Sequence, residues 1–349
     1  MSSLATQIPS MAPLTGKLPI SAPDYYAITT ADLNRIPSDI YCIKDALITV
    51  DYSLPYQFTF SIAESDGSWF TKVDQFHEIK PHENPVYIDE NVGFLEDRFS
   101  KFNICHFLFD KLGRTVEFDN LPVDSYFMFT GHDYFSEVFS MMGLRQTPLI
   151  ERTENIVTYR VKALYLSSST FKFRHPAFNF RPEVVQMLCQ LKKLCLDTKP
   201  VELPTPRIYV DRKSVSARDI VNKDVLEPIL NDFDFTSISF EDYSLKEQAS
   251  IVHGADVMLG VHGAGLANAL FFNNDSFQLL EIFPPLCASS DYWKLASAFE
   301  FQYDAYIALD TELSRPDYAN WNHDPTLNRR DILIEEDEFR LFLDRNIGK

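Results

Sequence analysis

The hydrophobic pattern is most regular in the C-terminal half of the chain, where short apolar runs alternate with stretches of helical period. Five runs of strand length occur there, at residues 207–211, 236–240, 257–261, 277–282 and 303–309. The segments between them carry apolar residues three and four positions apart, which is the spacing of an amphipathic helix. Strands that alternate with helices predict a parallel sheet covered by helices on both faces.

The helices of this half are expected at residues 216–231, from Ser244 onward, at 266–272 and at 291–299. Ser244 is followed three residues later by Glu247, which is the signature of a capping box. Each helix start therefore follows a strand, at the edge of the sheet where ligands bind in such folds.

The N-terminal half is less regular. Strand-like runs lie at 40–50, 56–63, 125–129 and 156–166, and helical patterns lie at 98–112, 133–142 and 182–195. Prolines at 200, 204 and 206 mark a linker. We therefore predict a flexible arm (1–30), an N-terminal domain (31–200), a second α/β domain (201–312) and a C-terminal segment (313–349) that contains an amphipathic helix.

Composition indicates a globular protein. Hydrophobic residues make up 45% of the chain, and no run approaches the roughly 18 apolar residues of a membrane span. The N-terminus lacks the charged-then-apolar order of a signal peptide. The five cysteines form no Cys-x-x-Cys pair, which favours a reducing compartment over a disulfide framework or a zinc site. We expect a cytoplasmic protein without a transmembrane segment.

Charge narrows the class of ligand. The net charge of −18 argues against a nucleic-acid polymer as a partner. Residues 151–223 nevertheless carry fourteen Lys and Arg against seven Asp and Glu. A basic middle in an acidic protein favours a small anionic ligand, and a solvated basic face is the alternative.

Glycine is concentrated in one place. Four of the 11 glycines fall within residues 254–265, and two of them form the turn His262-Gly263-Ala264-Gly265 between a buried strand and an apolar helix. The first amides of a helix have no partner within it and lie at the positive end of the helix dipole, so they can bind a phosphate or diphosphate. The spacing matches neither the dinucleotide fingerprint nor a phosphate-binding loop that ends in Gly-Lys-Ser/Thr. A close strand–helix crossing without a ligand is the alternative.

Other polar residues are expected at the same edge of the sheet. Arg212 and Lys213 end the first strand of this half, and Glu281 lies near the end of the fourth. An arginine can neutralise a diphosphate, and a carboxylate can hold both hydroxyls of a ribose. Together with the turn they predict a nucleotide site. For Glu281 the alternative is a surface carboxylate, and for His262 it is a ring bonded to the backbone.

These residues resemble a known signature. Val-His-Gly-Ala-Gly-Leu-Ala-Asn at 261–268, followed by Leu-Leu-Glu-Ile-Phe-Pro at 279–284, is similar to the motif of glycosyltransferase family 61. Members typically read His-Gly-Ala-Gly-Leu-Thr-Asn, so Ala267 departs from the pattern. The resemblance is strong over 207–284 and weaker over 103–114.

The same resemblance extends upstream of the glycine turn. Arg212, Arg218 and Asn222 match the family's arginine-containing segment, although Asp211 replaces the usual Ser. Gln248 also matches.

The resemblance implies a fold and an activity. The fold would be GT-B-like, with two Rossmann-like domains that face a cleft and a C-terminal helix that crosses back to the first domain. Residues 31–200 would bind the acceptor and residues 201–312 the nucleotide sugar. The reaction would be an inverting, metal-independent transfer of xylose, N-acetylglucosamine or a similar sugar from a UDP-sugar to a hydroxyl of a glycan. It would need no cofactor.

The resemblance also implies which residues bind the donor. Arg212 and the turn would hold the diphosphate, Glu281 the ribose, and His262 and Asn268 the phosphate or the sugar. The full donor-binding set would be Arg212, Lys213, Arg218, Asn222, His262, Gly263, Ala264, Gly265, Leu266, Asn268 and Glu281.

A polar helix face supplies the candidate base. Asn103, His106 and Asp110 are three and four residues apart, which places them on one face of a helix. An inverting transferase needs a base that takes the proton of the acceptor hydroxyl, and His106 or Asp110 could serve. The pattern is similar to the family's N-terminal motif. A solvated helix face is the alternative.

Two other functions remain open at this level. One is a glycan-binding or scaffolding protein that keeps the fold without turnover. The other is a metal-dependent GT-A-type enzyme that uses Asp232-Phe233-Asp234, an Asp-x-Asp motif of the kind that binds manganese. Because that motif falls between a helix and the next strand, we expect it at the amino-terminal edge of the sheet, away from the ligand.

Overall fold

The structure, a computed structural model, describes residues 39–52, 59–69, 79–96, 103–129, 133–149, 155–167, 180–197, 201–213, 217–273, 276–284, 289–311 and 330–348. They form two compact units, one up to Leu191 and the other from Lys192 onward. The predicted N-terminal arm and the stretch 312–329 lie outside the described residues.

The first unit contains a five-stranded mixed sheet. Its strands are β1 (Ile40–Asp51), β2 (Thr59–Ala63), β3 (Val86–Phe94), β4 (Ser125–Phe127) and β5 (Ile156–Ser167), in the order β2-β1-β5-β3-β4. β1 pairs antiparallel with β2 and β5, whereas β3 pairs parallel with β4 and β5. The implied Rossmann-like sheet is parallel, so the long antiparallel pair β1–β5 departs from it. Buried side chains such as Ile48, Val92 and Val161 form the core on this sheet.

The helical segments of the first unit include one irregular stretch. α1 (Ile104–His106) continues directly into a π-helix (Phe107–Leu112), and α2 (Asp133–Met141) and α3 (Pro182–Cys195) follow. A single helix was expected over 98–112, and the wider π-turns in its second half are a departure from that expectation. Phe107, Leu108 and Leu112 are fully buried. Because that burial follows helical spacing, the hydrophobic pattern alone does not distinguish a π-turn from an α-turn.

The second unit contains the predicted parallel sheet. Its strands are β6 (Arg207–Asp211), β7 (Phe235–Ser239), β8 (Val257–Val261), β9 (Gln278–Phe283) and β10 (Gln302–Ile307). Their order is β10-β9-β8-β6-β7, and every neighbouring pair is parallel. The chain reverses its direction of travel across the sheet at β6, so the carboxyl ends of β6 and β8 flank the crevice where open α/β sheets bind ligands.

The helices of the second unit follow the predicted alternation. They are α4 (Lys223–Asp232), α5 (Leu245–His253), α6 (Asp291–Phe299), α7 (Glu336–Ile347) and a 3₁₀ helix (Ala264–Phe271). The capping box at the start of α5 is present, with Ser244 and Glu247 bonding each other's backbone amides. Phe339, Phe342 and Leu343 of α7 pack into the core of this unit.

The start of α4 differs from the prediction. A helix was expected from residue 216, but α4 begins at Lys223. Two backbone features explain the delay. Arg218 has a left-handed φ of 62°, and the next residues pair with a distant segment through the bridge Ile220–Ile332. Arg218 therefore does not lie in the first turn of a helix.

None of the described helices has both the length and the apolar composition needed to cross a membrane. The cysteines within the described ranges are Cys42, Cys105, Cys189 and Cys195, and none of the four forms a disulfide there.

Candidate functional site

Two neighbouring strand ends form the centre of the candidate site. β6 and β8 are paired in parallel, with Val210 opposite Gly260. Two residues further along each chain segment, Arg212 and His262 follow the ends of β6 and β8 at the same edge of the sheet. The structure thus brings together the arginine and the turn His262–Gly265, which we call the glycine turn.

The glycines of this region have different physical roles. A Cβ on Gly265 would lie 3.0 Å from Val210 Cγ1, and one on Gly260 would lie 2.9 Å from Leu266 Cδ2. Both glycines therefore allow the 3₁₀ helix to pack closely on the sheet. A Cβ on Gly263 would meet only the Val261 carbonyl, at an ordinary 3.5 Å. Gly263 is the glycine of the turn whose open side is not filled by described protein atoms.

The backbone of the turn has amides that precede the helical ladder. The first hydrogen bond of the 3₁₀ helix runs from the Leu266 amide to the Gly263 carbonyl, at 3.1 Å. The amides of Ala264 and Gly265 come before it, which is the arrangement that can bind an anion. An α-helix was expected over 266–272, and the observed 3₁₀ helix begins two residues earlier.

The His262 side chain is held by a buried carboxylate. Its Nδ1 lies 2.5 Å from Oε1 of Glu281, and the Tyr303 hydroxyl donates to Oε2 of the same carboxyl group at 2.6 Å. Glu281 is completely buried, whereas 17% of the His262 side chain is exposed. Both oxygens of the Glu281 carboxyl group are bonded inside the protein, and the side chain is not exposed at the surface. Glu281 therefore lies where it orients a histidine, not where it reaches a ribose from solvent.

Burial and hydrogen bonding shift the pKa of the Glu281 carboxyl group in opposite directions. Burial raises the pKa of this carboxyl above its ordinary 4.5, while the charge of His262 and the hydrogen bonds from His262 and Tyr303 lower it. The net effect is that the pKa of Glu281 is raised. The geometry nevertheless makes Glu281 an acceptor on both oxygens, because the phenol of Tyr303 donates one bond and the ring of His262 can donate the other.

Two aromatic rings complete the surroundings of His262. The imidazole stacks on Phe283 with a centroid distance of 5.2 Å, and Tyr292 of α6 meets it edge-on at 5.9 Å. The Tyr292 hydroxyl also donates to the Gly263 carbonyl at 2.5 Å. Neither tyrosine was identified from the sequence, because only the folded chain brings residues 292 and 303 beside residue 262.

Asn268 lies beneath the turn instead of facing an open side. It is 1% exposed, and its Nδ2 donates to Gln248 Oε1 at 3.0 Å and to the Gly265 carbonyl at 3.2 Å. Its Oδ1 has no hydrogen-bond partner among the described residues. Leu266 is buried as well and packs under Gly260. Both residues support the shape of the turn.

The candidate base has a defined geometry in the first unit. His106 Nδ1 lies 2.7 Å from Asp110 Oδ2, and the two side chains are 30% and 16% exposed. Asn103, which was expected on the same face, instead caps α1, where its Oδ1 accepts a hydrogen bond from the Cys105 amide at 3.0 Å. The structure brings His106 and Asp110 together as a pair.

Comparison with known proteins decides the family. Residues 104–277 match the model of the family described as glycosyltransferase 61. The chain belongs, over these residues, to the glycosyltransferase 61 family. The resemblance that the sequence motifs carried is thereby confirmed.

The chain is also similar to an individual member of the curated proteins. It is 31% identical over 102 residues to the EGF domain-specific O-linked N-acetylglucosamine transferase of Drosophila melanogaster. The matched stretch is 28% of this chain and 19% of that protein. The similarity thus spans about a fifth of the relative's length.

The glycosyltransferase 61 region contains most of the residues described above. It includes the His106–Asp110 pair, Arg212 and the glycine turn. Glu281, Tyr292 and Tyr303 follow the end of the matched region at residue 277. The residues that hold His262 therefore come from the part of the chain beyond the family match.

The remaining candidate donor-binding residues, Arg212, Lys213 and Asn222, have distinct surroundings. Arg212 Nη1 donates to the Ala217 carbonyl at 3.1 Å, and no described carboxylate pairs with its guanidinium. Lys213 forms an exposed ion pair with Asp242. The amide group of Asn222 is engaged on both sides by the backbone of Ile334, at 2.8 and 2.9 Å. Asn222 thus holds the segment that precedes α7, whereas the guanidinium of Arg212 forms no ion pair with a carboxylate of the described residues.

The Asp-x-Asp motif lies apart from the glycine turn. Asp232 ends α4 and pairs with Arg340 of α7 at 2.8 Å, and Asp234 has a left-handed φ of 57° immediately before β7. Residues that precede a strand of a parallel sheet lie at its amino-terminal edge. The motif is therefore at the edge opposite Arg212 and the glycine turn.

Proposed function

We propose that this protein is an inverting, metal-independent glycosyltransferase. It transfers a sugar from a UDP-sugar to a hydroxyl group of a glycan acceptor. The observation that supports the proposal best is the glycine turn beside Arg212, within a region that belongs to the glycosyltransferase 61 family.

The turn and the arginine suit a departing diphosphate. The amides of Ala264 and Gly265 precede the helical ladder, and the Arg212 guanidinium is not neutralised by a described carboxylate. Backbone amides and an arginine can stabilise negative charge that develops on the leaving group. Such a site does not require a divalent cation.

The His106–Asp110 pair suits the acceptor side of the reaction. Inversion requires that the acceptor hydroxyl attack from the side opposite the diphosphate while a base removes its proton. The 2.7 Å contact with Asp110 would keep the proton of His106 on Nδ1, and in that tautomer Nε2 is the basic nitrogen of the ring.

The relative supplies one hint about the sugar. Its name describes an N-acetylglucosamine transferase that acts on EGF domains. N-acetylglucosamine is therefore the first donor sugar to test, followed by xylose.

Binding and turnover test the proposal together. We expect UDP to bind, and we expect the protein to transfer or hydrolyse one UDP-sugar from a panel in the presence of EDTA. Arg212→Ala should weaken UDP binding, and Arg340→Ala, a control at the opposite edge of the same sheet, should not. Absence of UDP binding at millimolar concentration would overturn the proposal. Binding without turnover of any donor would instead indicate a glycan-binding protein that has lost activity.

A further inference from the structure

We propose that Glu281 and Tyr303 are positioning residues that act through His262 to prepare the diphosphate site. The inference rests on the proposed function and goes one step further, because it assigns Glu281 to a histidine instead of a ribose. The hydrogen-bonded residues Tyr303, Glu281 and His262 belong to three neighbouring strands of the second sheet: Tyr303 lies on β10, Glu281 on β9 and His262 directly after β8.

The setting of Glu281 indicates that its carboxyl group has a role beyond packing. It is completely buried, and its neighbours on β9, including Leu280 and Ile282, are buried apolar residues. A carboxyl group in such a place is costly unless its oxygens are bonded. An apolar side chain would satisfy the packing of the strand, so packing alone does not account for a glutamate here.

Both oxygens of Glu281 are directed inside the protein. Oε2 accepts from the Tyr303 hydroxyl at 2.6 Å, and Oε1 lies 2.5 Å from His262 Nδ1. Tyr303 thereby fixes the rotation of the carboxyl group, and the carboxyl group fixes the ring. Of these two partners, His262 is the one that begins the glycine turn, so we expect an effect of Glu281 on a ligand there to pass through His262.

The ring of His262 has one nitrogen left for a ligand. A carboxylate at Nδ1 keeps the proton on that nitrogen and sets the orientation of the imidazole. No described residue forms a hydrogen bond to Nε2, and the ring is partly exposed. Phe283 and Tyr292 restrict the ring from its face and its edge.

The backbone beside His262 is fixed by the same surroundings. The His262 amide donates to the Ile282 carbonyl at 2.8 Å, and the Tyr292 hydroxyl bonds the Gly263 carbonyl at 2.5 Å. The imidazole and the first amides of the 3₁₀ helix are therefore held in one geometry before a ligand arrives. Binding then loses less conformational entropy than it would with a mobile ring.

A double-mutant cycle tests this role with UDP as the probe. We expect Glu281→Gln and Tyr303→Phe each to weaken UDP binding in the wild-type background, by roughly tenfold for the glutamate and less for the tyrosine. In the His262→Asn background, neither change should weaken binding further. A residue that only stabilises the fold would have the same effect in both backgrounds.

A matched control and a second measurement complete the test. Tyr306→Phe removes a hydroxyl from the same strand, where it bonds the Glu335 amide at 3.3 Å, and it should leave UDP binding unchanged. Nitrogen NMR of the histidine rings should show the Nδ1-protonated form of His262 in the wild type and a changed signal in Glu281→Gln. If Glu281→Gln does not fold, Tyr303→Phe carries the test, because its ring packing is retained.

The outcomes distinguish failure of the proposed function from failure of the positioning role. A wild type that fails to bind UDP overturns the proposed function and this role with it. A wild type that binds UDP, with Glu281 and Tyr303 variants that are unaffected or equally weakened with and without His262, overturns the positioning role alone.

Discussion

His106 Nδ1 lies 2.7 Å from Asp110 Oδ2 at the point where α1 passes into a π-helix. The wider turn of a π-helix shifts side chains away from the positions that an α-helix would give them, and such turns are frequent at functional sites. The fully buried Phe107 and Leu108 lie between the two residues in sequence and anchor this turn in the core of the first unit.

This pair predicts that His106 acts in the chemical step. We expect His106→Ala to lower the kcat of transfer by roughly 10²- to 10⁴-fold, because a positioned general base contributes that much, while UDP affinity stays unchanged. Asp110→Asn should also lower kcat, because the neutral amide no longer keeps the proton on Nδ1 of His106. His82→Ala, a histidine outside the candidate site in the same unit, is the control. Wild-type kcat in His106→Ala would exclude this residue as the base.

The two glycines of the turn predict different effects of substitution: one affects the stability of the second unit and the other affects UDP binding. Gly265→Ala should destabilise the second unit by about 1–3 kcal/mol, because its Cβ would lie 3.0 Å from Val210 Cγ1. Gly263→Ala should leave stability nearly unchanged, because its Cβ meets only one atom at 3.5 Å and its extended φ of 173° suits any residue. It should nevertheless weaken UDP binding, because the methyl group occupies the open side of the turn.

Thermal unfolding and UDP titration of both variants check this contrast. Adding Val210→Ala to Gly265→Ala should recover part of the lost stability, since Val210→Ala removes the atom that the new Cβ would meet. Equal stability of the two glycine variants, or unchanged UDP affinity in Gly263→Ala, would contradict the assignment of packing to one glycine and ligand approach to the other.

The sequence predicted the strands of the second unit well, because each short apolar run is buried on both faces of a parallel sheet. β8, for example, spans the predicted residues 257–261, and all five are buried. The glycine turn and Arg212 followed from the rule that ligands lie beyond strand carboxyl ends. These features depend on local pattern.

Features that depend on contacts between distant parts of the sequence were harder to predict. The start of α4 was misplaced because Ile220 pairs with Ile332, which no local pattern reveals. Glu281 was expected to bind a ribose. Its bonds to His262 and Tyr303 could not be foreseen, because they join residues that are far apart in the sequence. The flanking apolar residues of β9 are the signal in the sequence that could have indicated a buried carboxylate.

The position of Asp232 predicts that the Asp-x-Asp motif has no part in catalysis. Its carboxylate is about half exposed and pairs with Arg340, at the edge of the sheet opposite the glycine turn. Asp232→Ala should therefore leave transfer and its insensitivity to EDTA unchanged, and it should cost no more than about 1 kcal/mol, as exposed ion pairs do. Arg340→Ala should have the same small effect. Loss of transfer in Asp232→Ala, together with inhibition by EDTA, would favour a metal-dependent enzyme.

One buried ion pair of the first unit, between Lys111 and Glu96, predicts a large loss of stability that a second substitution can repair. Lys111 Nζ lies 2.9 Å from both oxygens of Glu96, and neither side chain is exposed. Glu96 Oε1 also accepts a hydrogen bond from the Phe129 amide at 2.6 Å. Lys111→Met would remove the cation that contacts both oxygens of this buried carboxylate, so we expect the unfolding free energy of this unit to fall by about 3–5 kcal/mol.

Repair of that loss tests the cause. Glu96→Gln keeps an oxygen for the Phe129 amide and removes the charge, so adding it to Lys111→Met should restore most of the stability in urea unfolding. Because Lys111 follows Asp110 directly in the π-helix, the single variant should also perturb the His106–Asp110 contact, and the double variant should return transfer activity toward the wild type. A double variant no more stable than Lys111→Met would show that the lost packing of the lysine stem, and not the uncompensated charge, causes the defect.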